Sequence, residues 1–373
     1  MKRAGAMLFP LMGLIAIAGC AHPTARVGQR LERQGDEIVV AGQFFHTGTP
    51  VVLWMDPGGY DAYRTERRFA PWDVASYEAT TQQYKGNKER VHSPNRLGLR
   101  FAPTTEPVMG GSPLTPRELE QVRGGGWPLK MVQDRVDQFV YHYDVAGVSR
   151  RCFLTLHDDR GLSVHFMCDV DGTIYQTMDL KERAWHATSS NNRSVGIEIA
   201  NIGAYPVGGK SSNTLEQWYR KDTRGRVRMV LPAWARPDGV RTPGFVARPM
   251  RERPVEGTIQ GARYRMYDLT SQQYEALIKL TATLCTVLPK IKCDYPRDEN
   301  GDLITHVLPK EQLAKYQGLM GHYHVQDNKQ DPGPAFQWDL IVGGARKLMG
   351  LRALKTGDVN NPSAEMVAER RAD

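Results

Sequence analysis

"LSVHFMCDVDGTIYQTM", residues 162–178, alternates in character on both sides of Asp171-Gly172. Alternation is the two-residue period of a half-buried strand, and Asp-Gly is the strongest short signal for a tight hairpin turn. Two antiparallel strands are predicted here. Upstream, "QFVYHYDV" (138–145) reads as a further strand. Downstream, "SVGIEIAN" (194–201) puts Val195, Ile197 and Ile199 on one face and Gly196, Glu198 and Ala200 on the other. The period then changes. In "LTSQQYEALIKLTATLCTVLP" (269–289), Tyr274, Leu277, Ile278, Leu284, Cys285 and Leu288 recur at helical spacing, Thr270 with Gln273 forms a capping box, and Pro289 ends the run. "PAFQWDLIVGGARKLMG" (334–350) predicts a closing helix with proline in its first turn. Strands first, then helices folded over them, predict an α/β or α+β layer architecture.

The flanks say where such a domain works. Lys2 and Arg3 precede an apolar run from Met7 to Ala18 that ends "IAGC" at Cys20. A charged start, a short apolar stretch and small residues before the cut make residues 1–19 a secretory signal. The ending resembles a bacterial lipobox, which implies lipidation at Cys20 and, with Ala21 next, an outer-membrane anchor facing the periplasm. Removing residues 1–19 lowers the formal net charge from +8 to +6. A mildly basic envelope protein suits an anionic polymer such as cell wall, and export argues against nucleic acid. Of the remaining cysteines, Cys285 and Cys293 are the better local pair for a disulfide, while Cys152 and Cys168 read as small buried apolar residues. Residues 20–125 form a turn-dense N-terminal extension without evident chemistry, although "EIVV" and "VVLW" read as short strands. A stretch rich in Arg, Pro and Gly at about 202–267 is an insertion that either lines a substrate groove or braces the surface. Residues 351–373 are a polar tail.

Several polar residues stand out from this frame. Glu198 lies mid-strand in an apolar run, and a carboxylate in a cleft needs a partner or a task. His142 closes a strand, which by itself suits a structural histidine. "GHYHVQDNKQDPGP" (321–334) adds His322, His324, Asp327, Lys329 and Asp331. A catalytic zinc takes three ligands of these types and leaves a position open, yet the spacing matches neither a His-Glu-x-x-His helix nor a zinc finger. If 321–325 is extended, His322 and His324 point to one side and both reach one metal. The local pattern leaves the choice between them open.

Taken in order, "VYHYD", "GLSVHFMCDVDGTIYQ", "ERAWHA", "NNRSVGIEIAN" and "GHYHVQDNKQDPGPAFQW" resemble the zinc-dependent N-acetylmuramoyl-L-alanine amidases of the type-2 amidase family, relatives of phage amidase-type lysozymes and peptidoglycan recognition proteins. The resemblance implies a central mixed β-sheet flanked by helices over residues 126–350, interrupted by the insertion. It implies one Zn2+ per chain held by His142, His322 and Asp331, with Glu198 and Lys329 as catalytic residues. Trp185, His186 and Asn192 would flank the groove and bind substrate. His322 takes ligand status over His324 on the Gly-His match, His165 is read as packing or substrate-side, and His157 as a surface histidine. Val164 stands where another branch has a catalytic tyrosine, which favours the Glu198 arrangement. The implied activity is cleavage between N-acetylmuramic acid and L-alanine in peptidoglycan or muropeptides, by a lipid-anchored monomer. The alternative is a peptidoglycan-binding lipoprotein that keeps the groove without catalysis.

Overall fold

The structure, a computed structural model, describes residues 27–65, 115–117, 128–160, 162–208 and 213–352. The signal segment with Cys20, most of 66–127 and the tail from 353 lie outside them. Residues 1–34 separate as a small unit; every element below belongs to the second, Gly35–Asp373.

In chain order, the hairpin β1 (Glu37–Val40) and β2 (Gln43–His46) leads to β3 (Val51–Leu53). The short helix α1 (Leu129–Arg135) precedes β4 (Gln138–Tyr143), which is followed by α2 (Ser149–Phe153). The antiparallel pair β5 (Phe166–Cys168) and β6 (Ile174–Gln176) comes next, then β7 (Ser194–Ile199). The insertion carries β8 (Tyr205–Pro206), α3 (Thr214–Trp218), β9 (Tyr219–Lys221), β10 (Val227–Met229), β11 (Val255–Ile259) and β12 (Ala262–Met266). Helix α4 (Ser271–Val287), α5 (Lys310–Lys315), β13 (Gly318–Gly321) and α6 (Trp338–Leu348) are the last elements among the described residues.

Six strands form the central sheet in the order β13-β4-β7-β5-β6-β3, and it is mixed: only β5 and β6 run antiparallel. Period two divides its faces. Phe139, Tyr141, Val195, Ile197 and Ile199 share one core cluster with Leu277, Leu280 and Leu284 of α4 and Ile341 and Val342 of α6. Each such fully buried side chain contributes about 1.5–3 kcal/mol by leaving water. His142 and Glu198 alternate out of that cluster to the opposite face and are register partners across β4 and β7. Because β13, β4 and β7 are parallel neighbours, their C-terminal ends deliver Gly321-His322, His142 and Glu198 to one edge of the sheet. That is where open α/β sheets form their crevices.

Several local expectations hold. Gly172 takes φ +81° in the β5–β6 turn, its N–H donating to the Asp169 carbonyl. The Thr270–Gln273 capping box is formed at the start of α4. Others need correction. The closing helix begins at Trp338 rather than at Pro334, because Gln337, at φ −89° and ψ 83°, is still outside the helical conformation. The N-terminal extension is not wholly apart from the domain: β3 pairs with β6 at the sheet edge, and Ile38, Val40, Val51 and Leu53 join the main core. The insertion is folded, with Ile202, Leu215, Trp218, Tyr219 and Val227 as its own apolar centre. Four of its arginines pair with the protein's own acids, Arg248 with Asp222, Arg251 with Asp268, Arg263 with Glu256 and Arg265 with Glu216. All four described cysteines are free thiols; Cys285 and Cys293 are buried side by side, their thiols hydrogen-bonded.

Candidate active site

At the C-terminal edge of β13, β4 and β7 lies a cleft of about 280 Å³, lined among others by His142, Glu198, His322, Lys329 and Asp331. Three of these converge. His142 Nδ1 stands 2.8 Å from Asp331 Oδ2 and 3.0 Å from His322 Nδ1, and His322 Nδ1 stands 3.0 Å from the same carboxylate oxygen. All three residues are buried. Three hydrogen-bonding atoms at the corners of so small a triangle cannot all be satisfied by protons, since two N–H groups aimed at one oxygen would also face each other. Two imidazole nitrogens and a carboxylate oxygen are, however, the donor set of a catalytic zinc, and the geometry fits a cation. Electrostatics agree. Burial, with the His322 ring beside it, pushes His142 down to about 4, so its ring is neutral near pH 7 and can offer a lone pair. Burial raises Asp331, but the His322 and His142 rings outweigh it and hold the carboxyl below its usual range.

The backbone explains why the chain can bring these groups so close. A Cβ on Gly321 would lie 2.6 Å from Cδ of Pro332 and 3.2 Å from the Asp331 carbonyl oxygen. Glycine at this position lets the Asp331-Pro332 segment fold against the end of β13, where the Tyr323 N–H donates to the Asp331 carbonyl. His322–His324 is a 3-10 turn and not extended chain, so the two histidines diverge. His322 enters the triangle. His324 is fully buried away from it, with Nδ1 accepting from the Gly321 N–H and Nε2 donating to the Ile304 carbonyl, and burial pushes it down to about 3.

Glu198 faces the same cleft from β7. Its Oε2 is buried and has no hydrogen-bond partner among the described residues. Burial, followed by the nearby Asp331 and Asp144 carboxylates, raises its pKa well above that of an ordinary glutamate, while the Lys329 charge opposes the shift. An unpartnered carboxyl in a cleft, beside a cationic side chain and a cluster of metal-type donors, is equipped to take up and release a proton.

The residues expected to bind substrate are distributed differently. Trp185 lines the cleft, with the Arg183 guanidinium 4.6 Å from its ring centre. His186 also reaches the cleft, but both of its ring nitrogens are engaged within the protein: Nδ1 lies 2.9 Å from His142 Nε2, and Nε2 lies 3.1 Å from Ser194 Oγ. Asn192 does not line the cleft. Its neighbour Asn191 is the buried one, accepting from the backbone N–H groups of His186 and Ala187, because the turn before β7 directs that side chain inward. His165 is fully buried, its Nδ1 accepting from the Gly196 N–H and its Nε2 donating to the Glu182 carbonyl. His157 is buried against Phe153, with ring centres 4.7 Å apart, and is not the surface histidine expected. Among the described residues of 202–267, none lines the cleft.

Other lining residues escaped the sequence reading, among them Asp144, Arg160, Ser163 and Gln330. Gln326 escaped as well: its Oε1 accepts from His322 Nε2 at 2.7 Å. Its only signal was a spacing of four from His322, which makes contact once the chain turns helically there.

A two-histidine, one-aspartate donor set that could hold a metal ion thus lies beside a glutamate and a lysine, at the strand ends of a mixed sheet. Residues 132–236 match the Amidase_2 family, described as N-acetylmuramoyl-L-alanine amidase. The match takes in His142 and Glu198; His322, Lys329 and Asp331 follow it in sequence and meet them in space. Among solved structures, a selenomethionine AmpD derivative is similar at 17% identity, covering 57% of this chain and 86% of its own, with a TM-score of 0.28. The endolysin N-acetylmuramoyl-L-alanine amidase LysCS from Clostridium intestinale URNW is similar at 16% identity, covering 59% and 88%, with a TM-score of 0.30. No curated protein matches the chain.

Proposed function

We propose that this amidase hydrolyses the amide bond between N-acetylmuramic acid and the L-alanine of the peptidoglycan stem peptide, with one zinc ion held by His142, His322 and Asp331. The observation that carries the reading is the convergence of His142 Nδ1, His322 Nδ1 and Asp331 Oδ2 within 3.0 Å of one another, in a cleft that Glu198 and Lys329 also line. Zinc, when bound, polarises the scissile carbonyl and acidifies water. Glu198 accepts a proton from the attacking water and returns it to the departing amine of L-alanine, so that it ends the cycle unchanged. Lys329 donates a hydrogen bond to the carbonyl oxygen as it gains negative charge. Trp185 offers an apolar face to the sugar or peptide beside the reacting bond.

The same proposal places the enzyme, as a monomer, on the periplasmic side of the outer membrane through a lipid on Cys20. The apolar run ending in "IAGC" supports that placement. Substituting Cys20→Ser should release the protein into the soluble fraction. The activity is tested by measuring bound zinc and then incubating the protein with purified peptidoglycan. Stoichiometric zinc and new L-alanine amino termini are expected, and wall binding without cleavage would favour a recognition module. Glu198→Gln should keep the metal and lose about 10²–10⁴-fold in turnover.

A further inference from the structure

We infer that His186 and Gln326 lock the ring tautomers of the two metal-facing histidines, and that His186 is therefore a positioning residue for the site rather than a substrate ligand. The inference rests on the proposed metal site and adds to it. A neutral imidazole has one N–H and one lone pair. If His142 Nδ1 and His322 Nδ1 are both to face one cation with lone pairs, both Nε2 atoms must carry the proton, and each then needs an acceptor. Both acceptors are present. Gln326 Oε1 lies 2.7 Å from His322 Nε2, and His186 Nδ1 lies 2.9 Å from His142 Nε2.

For His186 to accept, its own proton must sit on Nε2, and that nitrogen lies 3.1 Å from Ser194 Oγ. Donation thus runs in one consistent direction, from His142 to His186 to Ser194, and leaves the His142 Nδ1 lone pair facing the triangle. The fold is shaped around it. A Cβ on Gly196 would stand 2.5 Å from His186 Nδ1 and 2.6 Å from its Cε1, so only glycine in β7 leaves space for this ring. From the other side, the Asn191 side chain fixes the His186 backbone by accepting from its N–H at 3.0 Å. Histidine ligands commonly donate their outer N–H to a carboxylate, carbonyl or water, and losing that partner typically weakens metal binding 10–100-fold. A neutral imidazole in this place holds the tautomer without adding negative charge behind the metal-facing atom.

The test compares zinc affinity, by chelator competition on the full chain, for the wild type, His186→Leu, His186→Asn, Ser194→Ala and Gln326→Leu. Visible spectra of the cobalt-substituted proteins report ligand geometry. His186→Leu and Gln326→Leu should each bind zinc 10–100-fold more weakly, with altered cobalt spectra. His186→Asn, whose Oδ1 replaces the Nδ1 acceptor, should recover most of the loss, and Ser194→Ala should lose several-fold. Circular dichroism of the metal-free proteins checks that they fold; if His186→Leu does not, Ser194→Ala and His186→Asn carry the comparison. Wild-type affinity and spectrum in His186→Leu, or an equal loss in His186→Leu and His186→Asn, would overturn the inference alone. A wild type that takes up no zinc would overturn the proposed function and this inference with it.

Discussion

His322 and His324 are two residues apart, and their surroundings assign them opposite tasks. His322 Nδ1 meets His142 and Asp331, whereas both nitrogens of His324 are spent on backbone groups of Gly321 and Ile304. Replacing each by alanine should separate the tasks. His322→Ala should abolish zinc binding and leave the metal-free fold close to wild type. His324→Ala should leave a buried N–H and a buried carbonyl unpaired, at a cost of about 1–3 kcal/mol in stability, while zinc is retained. Metal analysis and thermal unfolding of the two variants check both halves. The local pattern could not divide this pair, and only the family resemblance favoured His322, because the division depends on a 3-10 turn that nothing in "HYH" specifies. Likewise, "RAWHA" announces an aromatic and an imidazole near a cleft but not which way the ring nitrogens face. Asn191 and Asn192 present the same problem, since identical neighbours are told apart only by the turn that buries one of them.

At the scale of elements the sequence was more legible, for a physical reason. Strand periodicity and turn chemistry are local, so β4, β7, the β5–β6 hairpin and the capped helix α4 could be placed from residue patterns. What is non-local could not: β3 is three residues long, and its place beside β6 depends on pairing across more than a hundred residues. The family resemblance supplied the ligand set, while the glycines that permit it became interpretable only in space. Gly321 is one such position. Gly321→Ala would drive a methyl group into Pro332 and push the Asp331 segment off the end of β13. We expect a loss of about 1–3 kcal/mol in stability, as for other forced overpacking, and zinc binding weakened together with it. Chemical denaturation and chelator competition on the same preparation measure the two effects.

For the molecule as a whole, pH dependence of stability has a source outside the cleft. Asp169 is completely buried, and although its Oδ1 accepts from the Val170 N–H, burial raises its pKa to about 8. An acid whose pKa is higher in the folded chain than in the unfolded one binds its proton more tightly when folded. Its contribution is full below the unfolded value near 4 and is lost as pH rises towards 8. Asp169→Asn, which cannot ionise, should flatten that decline, gaining on the order of a few kcal/mol at pH 8 relative to wild type. Unfolding curves recorded from pH 5 to 8 test the sign.

The order of strands across the sheet bears on when the enzyme can come into being. The donor set is split between β4, early in the domain, and the segment after β13, which is the last strand among the described residues and the edge strand beside β4. A chain emerging from the ribosome carries His142 long before it has His322 and Asp331 to place beside it. Loop closure over so great a separation comes late in assembly. Metal capture would then be a terminal event, available only to chains whose last strand has docked. An ion that binds the folded state alone would stabilise it by mass action and would mark the finished molecule, leaving incomplete chains without hydrolytic power.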